Sequence, residues 1–190
     1  MALFKPAVSS SAYLKAGLMG FPGAGKSRTA TELAMGMIAL MREMGLKEAN
    51  RPIMFFDTET GSDYLLGRIQ SAGMKLETVK SRAFVDLKDA TNEAADRGAF
   101  LIIDSVTHVW REFCASYKKK KNRSKLEFQD WDTLKLEWGV FTEQYVNVPC
   151  HIALCGRAGY EYDMEANEET GKKELQKVGV KMKAEGEMGY

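Results

Sequence analysis

The chain has almost no net charge, no membrane-length apolar run and only three cysteines in 190 residues. Each absence excludes something. A formal net charge of +1 gives the chain no overall electrostatic pull on nucleic acid, so any such attraction must come from a local cluster. No apolar stretch approaches the ~20 residues that span a bilayer. The amino-terminal MALFKPAVSSSAYLK lacks the apolar core of a secretory signal. An odd cysteine count argues against a disulfide framework and for a reducing compartment. Cys150, His151 and Cys155 are close in sequence but not at a zinc spacing, and they fall in or beside an apolar strand, which points to core packing. There is no internal repeat and no low-complexity linker. What remains, 45% hydrophobic and 28% charged residues, is the composition of a globular chain, and the length fits one domain over 1–190 better than two.

Against that background one segment stands out. Gly20-Phe21-Pro22-Gly23-Ala24-Gly25-Lys26-Ser27 satisfies G-x-x-x-x-G-K-[ST] without substitution. Small residues at that spacing let successive backbone N–H groups turn inward around phosphate oxygens, the lysine adds a mobile positive charge, and the serine offers a hydroxyl to Mg²⁺. The fixed positions arise by chance in roughly one chain of this length in a hundred. The flanks agree: Tyr13–Met19 reads as a short strand, and 27–44 has Ala30, Leu33, Ala34, Met37, Ile38, Met41 and Met44 at helical spacing with Gly45 at its stop. The expected nucleotide contacts are Gly20 through Ser27 together with Arg28, with ATP and Mg²⁺ as ligands.

Strand and helix signals then alternate, as in a parallel sheet covered by helices. Ile53–Phe56 is an apolar run ending at Asp57. A short helix starting near Ser62 or Asp63 stops at Gly73. Leu76–Lys80 is a weaker strand. Asp86 is placed to cap a helix through Arg97, and Ala99–Ile103 is an apolar strand running into Asp104. Trp131, Leu134, Trp138, Phe141 and Tyr145 share one face of a long helix, more in the manner of a core than of a ligand platform. His151–Cys155 is a fifth strand. Tyr160–Glu165 and Lys173–Val180 can pair as a hairpin around Glu169-Thr170-Gly171-Lys172. The expected fold is α/β: a three-layer α/β/α P-loop domain with a mostly parallel sheet of about five core strands (about 13–157) and a polar carboxyl-terminal hairpin or tail (158–190).

Binding phosphate is not hydrolysis, which needs carboxylates. Phe100-Leu101-Ile102-Ile103-Asp104 places an acid at the end of a buried strand about 80 residues after the loop, where it can hold Mg²⁺. Phe55-Phe56-Asp57-Thr58-Glu59 places acids at another strand end, on the edge where ligands of open α/β sheets collect. They read either as the group that orients and deprotonates the attacking water or as loop acids capping the next turn.

The loop, the FFDTETGSDYL stretch and LIIDSV together resemble the RecA-like ATPase core, over roughly residues 13–157. The resemblance implies Glu59 as catalytic base, Asp104 as the Mg²⁺-side carboxylate, and Lys26 and Ser27 as phosphate and metal contacts. The three motifs are also similar to small phage-type AAA-domain proteins, some of which act in single-strand annealing during recombination. That similarity implies a homo-oligomer in the cytoplasm of a bacterium or a phage-infected host. Where bacterial recombinases carry a γ-phosphate-sensing glutamine, this chain has Arg157. It reads as a sensor, as an interface arginine completing a neighbour's site, or as a surface residue. RecA-like domains continue with further strands, so a chain stopping at Tyr190 reads as a compact or a truncated variant.

Tyr117–Lys125, YKKKKNRSK, supplies Lys118, Lys119, Lys120, Lys121, Arg123 and Lys125, and the RecA-like resemblance would put a DNA-contacting loop there. Trp110, Phe113 and Tyr117 just before it are candidate stacking surfaces for single-stranded DNA. The alternative is a solvated basic loop. Two other functions compete with a DNA-coupled ATPase. A nucleoside or nucleotide kinase shares the loop but commonly needs an arginine-rich lid, and Arg157 is the only arginine beyond residue 155. An ATP-gated interaction module with little turnover is the other. A GTPase is disfavoured, since no N-K-x-D guanine-reading tetrad is present.

Overall fold

A computed structural model describes residues 12–166 and 173–185. Five strands lie parallel in the order β1-β5-β4-β2-β3: β1 (Lys15–Gly20), β2 (Ile53–Asp57), β3 (Leu76–Lys80), β4 (Phe100–Asp104) and the first half of β5 (His151–Ala166). The helices are α1 (Lys26–Glu43), α2 (Leu66–Ser71), α3 (Phe84–Asp96), α4 (Val106–Lys120) and α5 (Phe128–Asn147). The apolar strand runs do not alternate with polar residues because both faces of the sheet are covered. Ile53, Phe55, Phe100, Ile102, Ala153 and Cys155 face Ala30, Ala34 and Ile38 of α1 and Ile69 of α2. Their neighbours Met54, Phe56, Leu101, Ile103, Ile152 and Leu154 face Phe84 and Leu87 of α3, Val109 of α4, and Trp138 and Phe141 of α5. The result is the three-layer α/β/α architecture, with Cys150 and Cys155 buried as packing residues.

Three elements differ from the sequence reading. Helix α3 begins at Phe84, so Asp86 lies in its first turn rather than at its cap. There Asp86 accepts from the Ser81 hydroxyl, which itself accepts from the Ala83 amide. Strand β5 does not end at Cys155. It runs on to Ala166, and its second half pairs antiparallel with β6 (Lys173–Met182), Ala158 opposite Met182. Gly156 and Gly159 look like breaks in the sequence but are points of close approach: a Cβ on Gly156 would meet Met182 Sδ at 2.2 Å, and one on Gly159 would meet Lys183 Cε at 1.9 Å. The expected hairpin turn Glu169–Lys172 lies outside the described residues.

The third difference concerns the basic run. Lys118, Lys119 and Lys120 end α4 instead of lying in a loop. Trp110 packs on Trp131 and Trp138, and Tyr117 reaches Asp130, so α4 and α5 are antiparallel. Trp138 stacks on Phe84 beside the carboxyl end of β3, whereas Tyr145 lies near Lys15 at the start of β1. Helix α5 thus descends along the sheet, and at 1.5 Å per residue the ten residues before Trp138 carry its start ~15 Å beyond. The basic tip therefore overhangs the carboxyl edge. Trp110 and Phe113 are packed against the core and are not free stacking surfaces. Among the described residues, no helix is long and apolar enough to cross a membrane.

Candidate functional site

Strand register brings the sequence-predicted residues together. Gly20 lies beside Arg157, and Asp57 beside Asp104, all at the carboxyl edge. From Gly20 the chain turns through Gly23 (φ 79°) and Gly25 (φ 84°) into α1. That left-handed backbone is costly with a Cβ, hence the glycines. The first turn of α1 leaves the amides of Lys26, Ser27 and Arg28 without intrahelical acceptors, and its dipole is positive there. Pro22, Gly23, Gly25, Lys26, Ser27 and Arg28 line a cavity of about 350 Å³ together with Glu59, Gly61, Tyr64, Leu65, Asp104 and Arg157. Tyr64 was not singled out by the sequence. It is 90% exposed at this cavity.

Asp104 is 5% exposed and accepts a hydrogen bond from the Ser27 hydroxyl. Burial pushes its carboxyl above the ordinary range, a push that the Ser27 bond opposes and nearby Glu59 adds to. A buried carboxylate beside a hydroxyl is a hard-oxygen pair suited to Mg²⁺, and the positive charge of Lys26 offsets the burial only in part.

Asp57, 2% exposed, does not reach into the cavity. It accepts from the amides of Glu59 (2.9 Å), Gly61 (3.2 Å) and Ser62 (2.9 Å) and from the Ser62 hydroxyl. Burial pushes its carboxyl up, but these donors outweigh it and hold the group below the ordinary carboxylate range. Asp57 is thus the post around which the 58–62 loop is wound, and the loop delivers Glu59.

Glu59 is engaged on every side. Arg157 grips it through Nε (3.1 Å) and Nη2 (2.6 Å), Ser105 Oγ donates to Oε1 at 3.4 Å, and His108 Nδ1 lies 3.2 Å from Oε1. Burial pushes the Glu59 carboxyl up, but Arg157, His108 and Ser105 outweigh it and keep the group ionised. His108 is pulled the other way: burial lowers its basicity, Glu59 raises it, and Arg157, Arg82 and Arg111 lower it again. Its Nδ1 also lies 2.8 Å from Thr58 Oγ1, which accepts from the Ser105 amide at 2.9 Å. Nδ1 thus faces both Thr58 Oγ1 and the Glu59 carboxylate, and the negative charge beside it favours the tautomer with the proton on Nδ1. His108 escaped the sequence reading. Its one available signal was its position four residues after Asp104, in the first turn of α4.

Arg157 is held by its backbone, with its amide donating to Thr107 Oγ1 and its carbonyl accepting from Lys183. At the basic tip Arg123 is committed to Asp130 and Glu127, while Lys119, Lys120, Lys121 and Lys125 are exposed and Lys118 is half-buried. Among the described residues, no cluster of His, Cys, Asp or Glu is arranged to hold a metal by itself.

Residues 12–188 match the family described as AAA domain. No curated protein matches the chain.

Proposed function

The chain belongs to the AAA domain family, a family of nucleotide-binding, ATPase-type domains, and from that premise we propose that it is a Mg²⁺-dependent ATPase coupled to single-stranded DNA. One observation carries the reading: a phosphate loop, a buried Asp–Ser oxygen pair, an ionised glutamate and an arginine converge on a single cavity. In this reading the loop amides and Lys26 hold the β- and γ-phosphates, and the exposed ring of Tyr64 offers a face to the base. Ser27 and Asp104 hold Mg²⁺, which when bound neutralises phosphate charge. Glu59 takes a proton from the attacking water as its oxygen adds to the γ-phosphorus and the bond to the ADP oxygen breaks. Arg157, within reach of both Glu59 and the cavity, senses the nucleotide. The lysine tip over the same edge is the DNA contact.

The reading is tested by ATP turnover with single-stranded, double-stranded and no DNA. Glu59→Gln should lower kcat by ~10²–10⁴-fold, the range of general base catalysis. Unchanged turnover removes Glu59 as the base. The low-turnover binding module keeps one observation in its favour, the Glu59–Arg157 pair that occupies the base. Tight ATP binding with negligible hydrolysis under every DNA condition would decide for it.

A further inference from the structure

Arg157 and His108 hold the same carboxylate but differ in one respect. Arg157 lines the phosphate cavity, and His108 does not. A guanidinium can pair with a carboxylate or with phosphate oxygens, and its planar donors suit both. When a polyphosphate enters the cavity, Arg157 therefore has a second, more highly charged partner, and the grip on Glu59 becomes negotiable. A base that loses its holder at that moment would be poorly placed for the water it must meet.

His108 has no such choice. Its side chain is 11% exposed. The unit it belongs to is tied to strand ends: Thr58 donates its amide to the Asp104 carbonyl at 2.7 Å and accepts Arg82 Nε on its own carbonyl at 3.0 Å. Thr58 Oγ1 then bridges the Ser105 amide and His108 Nδ1. The His108 amide itself donates to the Ser105 carbonyl at 3.1 Å, in the first turn of α4. The imidazole is thus fixed to the ends of β2 and β4 and remains beside Glu59 when Arg157 turns away. We propose that His108 is the positioning residue for Glu59, retaining the carboxylate through its Nδ1–H when Arg157 engages the nucleotide. This rests on the reading of Glu59 as base given above.

The two holders should separate kinetically. His108→Ala should lower kcat at least about tenfold, since small misplacements of catalytic groups cost up to ~100-fold, and leave the KM for ATP within about twofold because the ring does not touch the cavity. His108→Asn places an amide N–H near the position of Nδ1–H and should restore most of kcat. Arg157→Ala should instead raise the KM for ATP. Equal impairment of the Ala and Asn variants, or a kcat for His108→Ala within twofold of the parent, overturns the proposal. Should the alanine variant not fold, Asn against Leu makes the same comparison with the cavity filled. Glu59→Gln measured alongside keeps the failures apart: if it turns over normally the base assignment falls, and if it is inactive while His108→Ala is normal only the role of His108 falls.

Discussion

At the scale of residues, the site is organised by a carboxylate that does not line the cavity. Asp57 accepts four hydrogen bonds from the loop that carries Glu59, and a buried acceptor with that many donors favours its ionised form. Its carboxyl is held below the ordinary range, so the native state binds fewer protons there than the unfolded chain. The stabilisation is therefore fully present above the unfolded value of ~3.9 and is lost as pH falls through the lower folded value. Asp57→Asn, which cannot satisfy all four donors equally, should cost about 2 kcal/mol near neutral pH. Denaturant titrations of parent and variant should begin to converge below pH ~4 and meet once the pH has fallen through the lower folded value of Asp57, where both side chains are neutral. A gap that stays constant with pH would mean that the charge on Asp57 contributes nothing.

At the scale of elements, β5 joins two sheets in one strand. Its first half separates the phosphate-loop strand β1 from β4, and its second half makes a hairpin with β6, with Arg157 at the joint. Gly156 is the hinge of this arrangement because Met182 occupies the space over it. Gly156→Val should push Met182 aside, cost about 1–3 kcal/mol as overpacking does, and weaken ATP binding through Arg157. A variant as stable as the parent in thermal unfolding would show that the hairpin yields freely. The same strand shows where local sequence stops being informative. The five parallel strands were legible because runs such as Phe55-Phe56 and Leu101-Ile102-Ile103 are apolar on both faces, and Asp57, Asp104 and the loop were legible because they end those runs. The length of β5 was not, since a glycine needed for close approach and a glycine in a turn look alike. His108 was invisible for a related reason: its role depends on Thr58, fifty residues away in sequence, and no local pattern encodes that pairing.

At the scale of the whole molecule, charge is near balance while the cations are segregated. Four lysines in a row sit where α4 ends, and α4 and α5 carry them beyond the carboxyl edge on which the cavity opens. The six cations of the run are not equivalent. Arg123 holds Asp130, which is 4% exposed and also accepts from the Glu127 amide in a reciprocal cap at the start of α5. Removing Arg123 leaves a buried carboxylate short of its cation, a loss of stability with little effect on DNA. Among the described residues, Lys118 to Lys121 hold no buried carboxylate, and Lys121 lies over the Tyr117 ring. If they neutralise phosphates of a single strand, each contributes about −0.7 to the slope of log K against log salt. Replacing all four with alanine should make that slope about 3 units shallower and leave the KM for ATP in the absence of DNA unchanged. Arg123→Ala should keep most of the slope and lower the unfolding midpoint. The opposite pattern, a slope lost with Arg123 and kept without the lysines, would move the DNA contact away from the tip and take with it the argument that the overhang exists to bring DNA to the edge where the nucleotide binds.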